Sequence, residues 1–369
     1  MKSLKTSSLF RLAALLVIAV IAICLVGFVA EGWQSEPPKQ PESGETDPNS
    51  GNTDENTDGN GETVVPDSPK PPQYIHDLTG LEITAEEYQQ RSLCFVMDAT
   101  SPLYGIHGAS LTIEIPVESG QSRFLVYQDA AENLGKIGSI TKGRECIARL
   151  LDFFGGIAIH SGADGTHLPG DTPSARLAFD LSANSGFSYS EGADYLYSNK
   201  DLLLAGLQKV GISLTASETL TLPFCFNPFF SDPIRFTTSA QAITLPYGEG
   251  NETGLYYDGS TSKYLLAKNG TVLTDLLNGK SIAFQNVFVL FADSTTYESV
   301  NQTEMIIDTD GGGKGYYFTE GTAQTIEWSL DDAGKLVFKN EAGEVLTVNR
   351  GTSYIGFYKA SLAASVTFS

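Results

Sequence analysis

Glu114-Ile115-Pro116-Val117-Glu118-Ser119-Gly120-Gln121-Ser122-Arg123-Phe124 sets the fold of this chain. Just upstream, Leu111, Ile113, Ile115 and Val117 alternate with Thr112 and Glu114. A period of two puts successive side chains on opposite faces of a strand, here over residues 110–117. Residues 123–127 read as a second strand, and Ser119-Gly120 supplies the turn that makes the pair a hairpin. Two carboxylates, a turn and an arginine are thereby brought close together. Such a set can hold a sugar or a metal, or do acid–base work. The plainer reading is an arginine–glutamate bridge that closes the turn.

Around the hairpin, strand and helix signals alternate. Thr84 caps a helical turn at 84–90, with Glu87 placed as in a capping box. Residues 93–97 form a short apolar strand ending at Asp98, and 157–159 another ending at His160. Helices are expected at 142–154, stopped by Gly155-Gly156, and at 199–210, with Gly211 as the C-cap. Residues 74–234 therefore read as an α/β-type domain with a mixed sheet and flanking helices. From 235 to 369 the pattern changes to strands alone, at 242–247, 253–257, 263–268, 287–291, 304–308, 315–318, 322–329, 335–340 and 352–359. Turns such as Asn269-Gly270 and Glu320-Gly321 separate them, which reads as a β-rich second domain. The expected class for the whole is α+β.

Lys2, Lys5 and Arg11 precede an uncharged apolar run at 12–30, long enough to cross a bilayer with the N-terminus inside. Residues 1–30 are read first as an uncleaved anchor, second as a cleaved signal, third as a lipidation signal at Cys24. Each of the three exports the remainder of the chain. Residues 31–73 carry almost no apolar side chain and many like charges, so they read as an extended, disordered acidic linker. The 369-residue chain has a formal net charge of −21, which argues against a nucleic-acid backbone as partner. Cys94, Cys146 and Cys225 lack paired spacing and are expected to be buried thiols.

Seven residues stand out as ligand-binding candidates: Asp98, Glu114, Glu118, Arg123, Lys142, Arg144 and His160. Lys142 and Arg144 fall at an expected helix start, where backbone N–H groups attract anions. His160 ends a buried strand, with Asp164 and His167 beyond it, but the spacing matches no zinc motif. No metal and no cofactor is assigned. Asp308-Thr309-Asp310-Gly311 resembles half a calcium loop, yet lies between strands and is read as a tight turn. The tyrosines and Trp328 of the second region can stack on sugars but are read first as core. No G-x-S-x-G, H-E-x-x-H or Ser-His-Asp signature is present.

These motifs resemble those of the YerB-like bacterial lipoproteins. The resemblance is carried by Leu78-Thr79-Gly80-Leu81, Met97-Asp98, Glu114-Ile115-Pro116-Val117-Glu118, Ser122-Arg123-Phe124 and His160-Ser161-Gly162, and extends from Leu78 to the C-terminus. It implies an exported protein anchored at the cell surface and built of two adjoining domains. The chain departs from the family where Thr141 stands for the first arginine of G-P-x-R-S-A-R, leaving Arg144, and where Asp194 and Tyr195 replace a His and an Asn. The expected function is a membrane-tethered, extracytoplasmic, non-catalytic binding protein for a cell-wall polymer or an envelope protein. The alternative is a hydrolase or transferase on an envelope glycan or phosphorylated polymer, with Glu118 or His160 as acid or base.

Overall fold

The computed structural model describes residues 74–369 apart from 130, 145, 163–176, 193–194, 217–222, 230 and 299–302. The anchor and linker expected at 1–73 lie outside the described residues, as do Asp164 and His167. Among the described residues no helix is long and apolar enough to cross a membrane.

The first region opens with a hairpin, β1 (Tyr74–Ile75) and β2 (Glu82–Ile83), and one helical turn, α1 (Ala85–Tyr88). The capping box forms: Thr84 Oγ1 accepts from the Glu87 N–H, and Glu87 Oε2 accepts from the Thr84 N–H. His76, between β1 and β2, reaches Asp129 at 3.2 Å. Burial alone would lower its pKa, but the Asp129 carboxylate outweighs burial and raises it above the ordinary 6.5. A raised folded value contributes stability that is complete below 6.5 and is lost as pH rises through the folded value. The melting-temperature gap between the parent chain and His76→Gln is therefore expected to be widest in mild acid and to shrink with rising pH. A gap that stays constant across that range would refute the assignment.

Next come β3 (Leu93–Asp98), β4 (Leu111–Pro116) and β5 (Ser122–Gln128), the hairpin read from sequence with its neighbour. They are followed by β6 (Ile137–Ile140), helix α2 (Cys146–Phe154), β7 (Ile157–His160) and β8 (Ala178–Asp180). The region continues with β9 (Tyr189–Glu191), β10 (Tyr195–Ser198) and helix α3 (Lys200–Val210), which is capped by Asn199 and ended by Gly211 in the left-handed region. Helix α2 is shorter than expected. The backbone of Thr141 and Gly143 is engaged by Val96, Ser161 and Gly162 in strand-like hydrogen bonds, so residues 141–143 cannot join the helix.

After β11 (Cys225–Phe226), which still falls in the first region, the second region supplies β12 (Thr238–Ser239), β13 (Ala242–Gly248), β14 (Asn251–Asp258), β15 (Lys263–Lys268), β16 (Thr271–Val272) and β17 (Ala283–Phe284). It continues with β18 (Asn286–Ala292), β19 (Ser294–Glu298), β20 (Thr303–Ile307), β21 (Gly313–Thr319) and β22 (Thr322–Leu330). The last strands are β23 (Leu336–Asn340), β24 (Thr347–Val348), β25 (Ser353–Lys359) and β26 (Thr367–Phe368). The Asp308 turn forms as read, with Asp308 Oδ1 accepting from the N–H groups of Asp310 and Gly311.

One mixed sheet runs through both regions in the order β12-β22-β21-β18-β25-β4-β5-β3-β6-β10-β9. The seam is the parallel pair β25 and β4, with Ser353 opposite Leu111 and Gly356 opposite Glu114. Beside it, β7 lies parallel to both β3 and β8. A smaller antiparallel sheet, β16-β15-β14-β13-β26, covers one face. Phe95, Met97, Phe124 and Val126 of the large sheet pack there with Ile243, Leu245, Leu255 and Leu266 of the small one and with Leu203 and Leu207 of α3. On the other face Cys94, Val96, Ile113 and Ile115 meet Ile147, Leu150 and Phe154 of α2, and Phe288, Trp328 and Phe357 continue the layer. The molecule is thus α+β but strand-rich, with few helices. Of the three cysteines, Cys94 and Cys146 are buried as expected, and burial pushes the Cys94 thiol up to about 12. Cys225 departs from expectation and is exposed.

Candidate functional site

The two glutamates of the opening stretch end up in different places. Strand β4 is buried along its whole length, so Glu114, expected near the turn with Glu118, lies fully inside. The small sheet covers the face on which its side chain stands. Its carboxylate accepts from Lys268 Nζ at 2.5 Å, Ser122 Oγ at 2.5 Å, Thr253 Oγ1 at 2.8 Å and Tyr354 OH at 2.5 Å. Lys268 in turn donates to Asn251 Oδ1 at 2.8 Å and lies 5.4 Å from the Phe124 and Tyr247 ring centres. Burial, and then the Glu114 charge, push the Tyr247 and Tyr354 phenols well above their usual range, so both stay protonated, and Tyr354 donates to Glu114. An isolated charge would not survive this environment; a paired and fully hydrogen-bonded one does. The network joins β4 and β5 of the first region to β14, β15 and β25 of the second.

The turn between β4 and β5 explains its own sequence. Ser119 and Gly120 adopt φ of 57° and 71°, the left-handed region that glycine enters freely. Gly120 also lies against Gly248 at the β13–β14 turn, where a Cβ on Gly248 would come within 2.5 Å of the Gly120 Cα. Two glycines let the turns of the two regions touch, and Asn251 Nδ2 seals the contact by donating to Gly120 O at 2.9 Å.

Glu118 stands on that turn, and its arginine is not Arg123. Arg144 is buried and donates to Glu118 Oε1 at 2.6 Å, while its other terminal nitrogen lies 3.3 Å from Glu304 on β20. A bridge closes the turn, as the plainer reading had it, but it is made from the link before α2 and also reaches the second region. The expected anion contact at Arg144 is displaced by these two carboxylates. Arg123 Nη1 instead donates to the Lys142 carbonyl at 2.6 Å, and the Lys142 side chain is exposed.

His160 and Asp98 sit at the C-terminal ends of β7 and β3, crossed by the 141–144 link. Asp98 Oδ1 accepts from the N–H and hydroxyl of Thr100, so it caps its own turn. His160 Nδ1 lies 2.9 Å from Gly162 O, and a carbonyl can only accept, so Nδ1 carries a proton and donates it there. Nε2 is buried with no hydrogen-bond partner among the described residues. Asp180, opposite His160 on β8, accepts from the N–H groups of Gly162 and Ser182 and from Ser182 Oγ. Burial pushes its pKa up most, but these hydrogen bonds and His160 together hold it below the ordinary value. Asp98, Arg123, Lys142 and His160 are therefore neighbours through the backbone, Arg144 and Glu118 form a separate pair, and Glu114 belongs to the core.

Lys268, Glu304, Tyr354 and Asp180 were not singled out by sequence. Lys268 did carry a signal: it follows Tyr264 and Leu266 in the buried phase of β15, where an unpaired charge is not tolerated. Glu304 carried none, because its role depends on Arg144, far away in the chain; Asp180 takes two of its hydrogen bonds locally from Ser182, but its place beside His160 depends on the pairing of β7 and β8.

Residues 78–211 match the family described as "Protein of unknown function (DUF3048) N-terminal domain", and residues 243–355 match its C-terminal domain. The chain is 25% identical over 315 residues to the Bacillus subtilis protein named "Putative lipoprotein YerB", covering 82% of this chain and 91% of that one. The crystal structure of YerB from Bacillus subtilis superposes with a TM-score of 0.68 at 21% identity, over 80% of this chain and 100% of that chain. The fold is therefore shared along its length. By both domain matches and this homology, the chain belongs to the YerB-like DUF3048 family, with the N-terminal and C-terminal domains of that family in order.

Proposed function

We propose that this protein is a membrane-tethered, extracytoplasmic binding protein of the cell envelope that holds a cell-wall polymer and carries out no turnover of its own. The observation that supports this most is the use made of the charged candidates. Glu114 is matched by Lys268, and Arg144 by Glu118 and Glu304, in contacts that fasten one region to the other. Catalytic carboxylates need a reacting group within reach, whereas these face protein partners. Envelope placement is supported by the relative's name and by the basic-then-apolar N-terminus. In this reading residues 74–234 and 235–369 are two domains, the first of α/β type around β3, β7 and β8, locked into a single rigid body that a linker holds away from the membrane. The test is sedimentation of the full chain with isolated cell wall: the chain is expected in the pellet, with no fragment released from the wall. A chain left in the supernatant would count against the proposal.

A second reading, hydrolysis or transfer on an envelope polymer, has one observation in its favour. His160 Nε2, buried and without a hydrogen-bond partner among the described residues, lies at the C-terminal end of a parallel strand, where a general base is useful. It predicts wall fragments that disappear with His160→Gln while sedimentation with the wall remains. Absence of such fragments from the parent chain removes it.

A further inference from the structure

The ion-paired candidates of the first region leave little surface for a ligand, but the second region has an open groove that none of them touches. It lies where the edge of the large sheet meets the small sheet, has a volume of about 370 Å³, and is lined from β12, β21, β22 and β26. Its floor is built by a break in a strand edge. Strand β12 pairs with β22 only at Thr322 and Ala323, and β23 pairs with it only from Ile326 to Leu330. Gln324 and Thr325 fall between the two ladders, and the backbone of an unpaired stretch of edge seeks outside partners.

We propose that this groove binds one ring of a neutral glycan chain. The inference rests on the envelope-binding reading and gives it a site and a ligand class. Three properties select the ligand. First, Tyr316 and Phe368 are half-buried, with ring centres 5.1 Å apart, and both residues line the groove. Aromatic surface of this kind accepts the C–H face of a sugar, and these rings are already held in place by Phe318 and Phe291. Second, Thr238, Thr325 and Glu341 bring hydroxyl and carboxylate groups to the groove, with Thr325 directly opposite Tyr316 on the neighbouring strand, and Gln324 lines it from the other face of the sheet; these are donors and acceptors that hydroxyl-rich ligands use. Third, the groove offers no spare positive charge. Its arginine, Arg235, is balanced by Glu320 at 3.0 Å, and Glu341 adds a negative charge, so a phosphate polymer is disfavoured. A peptide added as a strand is also disfavoured, because two free edge residues give too short a ladder.

The experiment uses the full chain with two probes, isolated cell wall and a soluble β-1,4-linked N-acetylglucosamine oligosaccharide, the latter by titration calorimetry. Two substitutions are compared. Thr325→Ala removes a polar contact on the face that carries Tyr316, and Thr238→Trp fills the groove from an exposed edge residue without touching the core. Both are expected to keep the parent melting temperature and to bind the oligosaccharide about 10-fold more weakly or not at all. Unchanged oligosaccharide affinity in both variants would overturn the groove. So would a parent chain that sediments with wall but ignores the oligosaccharide, or one whose wall binding is displaced by a polyphosphate; in these three cases the envelope-binding reading stands. A parent chain that binds neither probe overturns that reading and the groove together.

Discussion

Lys268→Met is expected to lower the stability of the folded unit by about 3–5 kcal/mol. The methionine fills much of the lysine stem's space but leaves the Glu114 carboxylate fully buried with no counter-charge. Ser122, Thr253 and Tyr354 still donate to it, yet hydroxyl donors do not replace an ammonium at 2.5 Å. For a unit of roughly 300 residues, with an unfolding entropy of about 2.1 cal/mol/K per residue, the melting temperature should fall by about 5–8 °C, read by scanning calorimetry. The double replacement Glu114→Leu with Lys268→Met is expected to recover part of the loss, since removing both charges also removes the desolvation penalty. Recovery is incomplete because Asn251 and Tyr354 then lose a partner each. If Lys268→Met melts with the parent chain, Glu114 and Lys268 are not joined in the core.

The second large effect is expected at Arg144. Arg144→Met removes the guanidinium that Glu118 and Glu304 share, and the loss should be about 3 kcal/mol. Glu118 is about a third exposed, so its share is discounted for solvent screening. Hydrogen exchange should locate the damage. Protection is expected to fall first in β20 and in the turn at Glu118–Gly120, the two pieces that Arg144 holds. Arg144→Lys should rescue little, because a point charge cannot serve two carboxylates in the way a planar fork does. Uniform loss of protection across both sheets, or full rescue by lysine, would count against a fastening role for the guanidinium.

Both effects fall on contacts made between residues far apart in the chain, which is where sequence reading was weakest. It was strongest where the signal is local. The alternation in β4 was legible because a strand's faces follow a period of two whatever it pairs with, and β3, β5, β13, β15, β21 and β22 were legible as apolar or β-prone runs bounded by turns. The Thr84 capping box and the Asn199–Gly211 limits of α3 were legible because caps act within four residues. Short strands such as β8, β9 and β12 were not, since two or three residues carry no period. The start of α2 was misplaced because Thr141 and Gly143 give their backbone to strand partners that local propensity cannot reveal.

The longer strands, the capped helix α3 and the family could be read from the chain alone, because side-chain periodicity, caps and short motifs are local properties. Only the tertiary structure decided that one sheet crosses both regions through β4 and β25. It alone turned Glu114 inward to Lys268 and gave Glu118 to Arg144 instead of Arg123. The physical reason is that a charge's role is set by its burial and its partner, and both are fixed when distant strands pair and bring a lysine 154 residues away within 2.5 Å.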